Sequence, residues 1–176
     1  MHRHTTRIVT FAALLLVFAG GANAKKISVE LSPGDVTART LAGRGTYYVV
    51  DLVVPEELAE RYVDSVVLEF FVDVTPDESI GPEYTPLIEV FPLTEEVRDG
   101  QPPRYAKSYP SSRPVPVGEG QRVIIDITEI VRGWIASPAT NHGLVLGSFR
   151  GPTIGALELR EDLVGRDKLA LATFYY

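Results

Sequence analysis

The segment Arg104-Tyr105-Ala106-Lys107-Ser108-Tyr109-Pro110-Ser111-Ser112-Arg113 concentrates the residue types best suited to holding an anionic sugar. Three cations and two tyrosines fall within ten residues of a chain whose net charge is −6. Arg104, Lys107 and Arg113 can pair with uronate carboxylates, and the rings of Tyr105 and Tyr109 can stack on pyranose faces. In an extended segment, Tyr105, Lys107 and Tyr109 share one side. The same composition also suits an edge strand, where Lys and Pro discourage pairing with other chains.

Other chemistry has less to work with. A Ser/His/Asp nucleophile needs a histidine as base. Beyond residue 24 the only histidine is His142, between Asn141 and Gly143, a turn setting that predicts an exposed loop residue. In Gly147-Ser148-Phe149-Arg150-Gly151 the serine stands one place too early for a nucleophile elbow. A zinc site needs clustered Cys, His or carboxylate, and the chain has no cysteine. Asp73-Val74-Thr75-Pro76-Asp77-Glu78 offers oxygens to calcium but lacks the Gly and terminal Glu of a helix–loop–helix site. No local pattern holds two carboxyls across a cleft. No enzyme, metal site or cofactor is expected. Trp134 could stack on a sugar, but it shares an apolar stripe with Ile130, Val131 and Ile135, which predicts a core residue.

The elements that must position these residues are mostly strands. Turn residues recur at about ten-residue spacing between short runs of Val, Ile, Leu, Phe and Tyr, the pattern of an antiparallel sandwich or barrel. Thr46–Val54 places Tyr48, Val50, Leu52 and Val54 on one face. Ser65–Val74 does so with Val66, Leu68, Phe70, Val72 and Val74, and Arg122–Ile127 with Val123, Ile125 and Ile127. Further strands are predicted over Lys26–Leu31, Leu87–Leu93, Tyr105–Tyr109, Gly143–Phe149, Ile154–Arg160 and Leu169–Tyr175. Pro33-Gly34, Asp99-Gly100, Pro102-Pro103 and Gly118-Glu119-Gly120 mark turns. Two segments read as helical. Pro55–Arg61 gives about one turn. Thr128–Ala136 is amphipathic, with Asp126 and Glu129 spaced as a capping box and Ser137-Pro138 as its stop.

Residues 1–24 read as a cleavable secretory signal. His2, Arg3, His4 and Arg7 precede an apolar run from Ile8 to Phe18, and Ala22-Asn23-Ala24 supplies the small-residue cleavage pattern. The predicted mature chain is one domain over residues 25–176, secreted or periplasmic, with no membrane span. Losing Arg3 and Arg7 takes the net charge from −6 to −8. Such a surface argues against nucleic acid as a partner. Thirteen prolines argue against a membrane barrel despite the aromatic end Phe174-Tyr175-Tyr176.

The run from Asp126 through Ile127, Thr128, Ile130 and Trp134, then Asn141, Gly143, Leu144 and Leu146, resembles the signature of DNRLRE-type secreted modules. The growth-factor propeptide fold has a similar segment. Tyr48–Pro55 with Val63–Val72, Leu87–Leu93 and Lys168–Tyr175 resemble other strands of that family. The chain departs from it in lacking the hallmark hexapeptide, in Val66 where the family has Ala, and in Asp167 or Lys168 where it has Pro. The resemblance implies an all-β, antiparallel jelly-roll-like sandwich with one or two short helices. It also implies an accessory or binding role, since some relatives bind acidic polysaccharides such as alginate. The ligand-binding residues would be Arg104, Tyr105, Lys107, Tyr109 and Arg113. The alternative is a structural or assembly protein of the cell surface, acting through protein contacts.

Overall fold

The computed structural model describes residues 25–41, 45–75, 85–107, 111–149, 156–160 and 168–176. Among these residues, ten strands form two antiparallel sheets. The first contains β1 (Lys26–Leu31), β10 (Ala170–Tyr175), β4 (Ser65–Thr75) and β7 (Gly118–Asp126) in that order, and β9 (Ala156–Leu159) also pairs with β4. The second runs β2 (Val36–Leu41), β3 (Gly45–Val50), β8 (Leu144–Gly147), β5 (Leu87–Pro92) and β6 (Ser111–Pro114). The chain is an all-β sandwich, in which the helix α1 (Thr128–Ala136) joins the two sheets between β7 and β8.

Alternation explains the core. On β4, Val66, Leu68, Phe70 and Val72 are fully buried while their neighbours alternate outward. They meet Val50 of β3, Ile88 and Val90 of β5, and Leu144 and Leu146 of β8 in one cluster drawn from both sheets. Each such fully buried side chain contributes roughly 1.5–3 kcal/mol. A polar tie crosses the same interior. The buried Tyr48 hydroxyl on β3 donates to the Leu157 carbonyl at 2.8 Å and accepts from the Leu159 N–H at 3.1 Å, both on β9 of the facing sheet. Burial pushes this phenol above its ordinary pKa, so it stays a donor.

Several expectations need correction. The strand expected over Thr46–Val54 stops at Val50, because Asp51 leaves the ladder and the chain enters a single 3-10 turn at Glu56–Leu58. Gly118 and Gly120 belong to β7 rather than to a turn; positive φ values of +141° and +61° let the strand bend beside a register shift near Val72 and Val74. β2 is a strand that the alternation argument passes over. The segment Tyr105–Lys107 is not a strand, since Tyr105 makes one isolated bridge to Leu93 and Lys107 lies in a turn. Two backbone bonds flanking that bridge and packing of the Tyr105 ring hold the stretch.

Helix α1 has the expected boundaries, but its start works differently. Asp126 Oδ1 accepts the Thr128 N–H at 2.8 Å and the Thr128 hydroxyl at 2.5 Å. The same hydroxyl accepts the Val66 N–H at 2.8 Å, tying the helix to β4. Glu129, the expected capping-box partner, pairs instead with Arg132 at 2.6 Å. Arg132 then clamps the helix to the segment before β4. Its guanidinium donates to the Val63 carbonyl at 3.0 and 2.9 Å and to the Asp64 carbonyl at 3.1 Å, and it lies 4.8 Å from the Tyr62 ring centre.

Candidate ligand groove

The outer face of the β3 sheet carries a second, smaller apolar cluster. Because neighbours alternate, β3 buries Tyr48 inward and turns Tyr47 outward; β5 likewise turns Phe91 outward, and β8 turns Val145. Tyr47, Phe91, Leu93 and Val145 are buried there under the segment from Thr94 to Tyr105. That segment folds back on itself. The Thr94 N–H donates to the Arg104 carbonyl at 3.0 Å, and the Ala106 N–H donates to the Pro92 carbonyl at 3.0 Å. Its tip, at the expected Asp99-Gly100 turn, is held by an ion pair from Arg39 of β2 to Asp99.

Three rings close the cluster. Tyr105 stacks on Phe91 with centroids 4.6 Å apart and planes at 27°. Phe149 stands 5.1 Å from Tyr105 and 5.7 Å from Phe91, edge-on to the latter at 67°. Gly147 makes this approach feasible, since a Cβ there would meet the Phe149 ring at 3.1 Å and the Tyr47 Cβ at 3.2 Å. Below, the fully buried Glu89 fixes the backbone, its Oε2 accepting the Phe149 N–H at 3.1 Å.

Between the folded-back segment and β3 lies a groove of about 330 Å³. Tyr47, Tyr105 and Phe149 line it with Pro102 and Pro103, and Thr46, Thr94 and Ser148 add hydroxyls. Arg104 and Lys107 are the cations of the lining, which holds no carboxylate and no imidazole among the described residues. Ser148 Oγ is buried and has no hydrogen-bond partner among the described residues. Burial raises the pKa of the Tyr47 phenol, opposed in part by the nearby Arg39 charge. Arg104 pairs with Glu95 at 3.3 Å in an exposed, weak contact that an incoming carboxylate can replace. Lys107 is exposed.

The five residues expected to bind a ligand are thus only partly assembled. Arg104, Tyr105 and Lys107 share the groove. Arg113 does not line it; on β6 its guanidinium donates to the Ile124 carbonyl of β7 at 3.2 Å, across the sandwich edge. Tyr109 lies outside the described residues. Sequence reasoning missed Tyr47 and Phe149, which reach the groove through the pairing of β3 with β8. Tyr47 could have been found as the outward partner of the alternating Tyr48.

The other candidates have ordinary environments. His142, expected to be exposed, is half-buried in a second groove of about 380 Å³ beside Trp134 and Gly133. Asp73 accepts the Gly120 N–H at 2.7 Å and pairs with Arg160 at 2.8 Å, while Asp77 and Glu78 lie outside the described residues. Trp134 is 3% exposed and belongs to the core.

The motif residues that carry the DNRLRE resemblance do structural work. Asp126 and Thr128 start the helix and bind it to β4, as described above. Asn141 donates to the Leu52 carbonyl at 3.0 Å and accepts the Gly143 N–H at 3.0 Å. None of these four lines the groove. No described helix is long and apolar enough to cross a membrane. In comparisons with known proteins, no family model and no curated protein matches the chain significantly.

Proposed function

We propose that this chain is a non-catalytic, extracytoplasmic binding module that takes an acidic polysaccharide in the groove over the β3 sheet. The observation that carries this reading is the groove lining: aromatic rings for pyranose faces, with Arg104 and Lys107 for carboxylates, in one cleft. Its volume lies in the range of small-ligand clefts, about 300–1,000 Å³. The export signal of residues 1–24 and the DNRLRE-like motif support an extracytoplasmic role. The strand orders β1-β10-β4-β7 and β3-β8-β5-β6 favour a jelly roll, in which successive strands pass between two sheets.

Affinity electrophoresis tests the reading. The protein is expected to be retarded in gels containing a uronate polymer and not in gels containing a neutral glucan. Tyr105→Ala and Lys107→Ala are each expected to weaken retardation about tenfold, and Arg113→Ala to leave it unchanged. Lys107 is exposed, so its variant keeps the fold even if loss of the Tyr105 stack does not. No retardation of the native protein, or retardation indifferent to both groove variants, overturns the proposal. Amino-terminal sequencing of protein recovered outside the cytoplasm is expected to begin at Lys25; retention of residues 1–24 there would remove the export part.

A further inference from the structure

The two long sides of the sandwich are finished differently. On one, side chains of β6 reach the backbone of β7: Ser111 Oγ donates to the Asp126 carbonyl and Arg113 to the Ile124 carbonyl. On the other, β1 ends its sheet and, among the described residues, pairs only with β10. The pairing is antiparallel and unbroken from Lys26 to Leu31, with no Pro or Gly in the strand. Lys25 and Tyr176 exchange both backbone bonds at 3.0 Å, which sets the alternation along the strand. Ile27 and Val29 therefore direct their N–H and C=O groups to β10, and Lys26, Ser28 and Glu30 direct theirs away from the sheet.

We propose that β1 is a self-pairing edge, through which two copies of this chain join antiparallel about a two-fold axis at Ser28. In that register Lys26 faces Glu30 of the second copy, Ser28 faces itself, and Ile27 faces Val29. Every outward N–H and C=O of Lys26, Ser28 and Glu30 then meets a counterpart. The side chains of these three residues are exposed, so the two Lys26–Glu30 pairs sit on the solvent face. Ile27 and Val29, partly buried against the core, continue it across the seam. Shifting the register by two residues puts neither charge opposite its complement, and parallel in-register pairing sets like charges side by side. Glu30 already pairs with Lys168 but is 56% exposed and open to a second cation. The β2 edge offers no such match, because its single charge, Arg39, is taken by Asp99.

Sedimentation equilibrium of the full chain is expected to show a reversible monomer–dimer equilibrium. Lys26→Glu and Glu30→Lys, made singly, set like charges opposite each other twice per dimer and are expected to raise the dimer Kd about tenfold. The double swap restores opposite charges and is expected to return Kd to near the native value. Lys25→Glu makes the same charge change beside the strand and should leave Kd unaltered. The chain has no cysteine, so in Ser28→Cys mild oxidation is expected to yield a disulfide-linked dimer, in a yield that Lys26→Glu lowers. A monomer at every concentration overturns the proposal. So does a dimer indifferent to the single swaps, or one that the double swap weakens further.

Discussion

Gly143→Ala is expected to destabilise the fold by about 3–5 kcal/mol, read as a lowered urea midpoint at unchanged slope. Two penalties act together. The backbone at Gly143 has φ +86°, a conformation that L side chains rarely adopt. A Cβ there would also stand 2.6 Å from the Val50 carbonyl oxygen and 3.5 Å from its carbon. That carbonyl cannot swing aside cheaply, since Val50 is paired with Val36 of β2 on one side and Leu144 of β8 on the other. Nor can Gly143 withdraw, because its carbonyl accepts the Leu93 N–H at 3.0 Å and its N–H is held by Asn141. Gly133→Ala provides a control of opposite sign. Gly133 lies inside α1, and a Cβ there meets nothing within 4 Å. Removing a helix-interior glycine is expected to stabilise by about 0.5–1 kcal/mol. Equal midpoints for native protein and Gly143→Ala would show that the contact relaxes and that the motif glycine is dispensable.

Gly143 also illustrates what the sequence discloses and what it withholds. Its place in the motif is visible in the residues, but its task is not, because the Val50 carbonyl is nearly a hundred positions away. The β4 pattern is legible throughout, since one face is wholly buried and a shift of one residue would expose it. The boundaries of α1 are legible for a similar reason, the apolar stripe closing at Ser137-Pro138. β2 is not legible, because a strand at a sheet edge keeps Thr37, Ala38 and Thr40 exposed and shows no apolar alternation. The groove falls between these cases. Arg104, Tyr105 and Lys107 stand out as a cationic, aromatic cluster in an acidic chain. Tyr47 and Phe149 join them only through the register that places Tyr48 opposite Leu146. The extended segment expected over Tyr105–Tyr109 is not found at Lys107, which lies in a turn, while Tyr105 is held by one bridge to Leu93 and by its stack on Phe91. Stacking of that kind leaves no periodic trace in a sequence.

Trp134 separates the two meanings an aromatic residue can have in such a protein. Trp134→Ala is expected to cost about 3–5 kcal/mol, the range for emptying a large core site. The residue is 3% exposed and packs in the main cluster with Ile130 and Val131. Its margins touch two surface grooves, of about 380 and 270 Å³, and neither is the groove lined by Tyr105. A sugar-stacking tryptophan would behave in the opposite way, losing ligand at little cost in stability. Trp134→Phe keeps an aromatic ring and most of the volume, so it is expected to fold with a smaller loss and to retain native retardation in a uronate gel. Tyr105 changes should show the reverse pattern, a large effect on retardation relative to that on stability. If Trp134→Phe abolished retardation while unfolding at the native midpoint, the ligand would belong beside α1, and the groove over the β3 sheet would lose its claim.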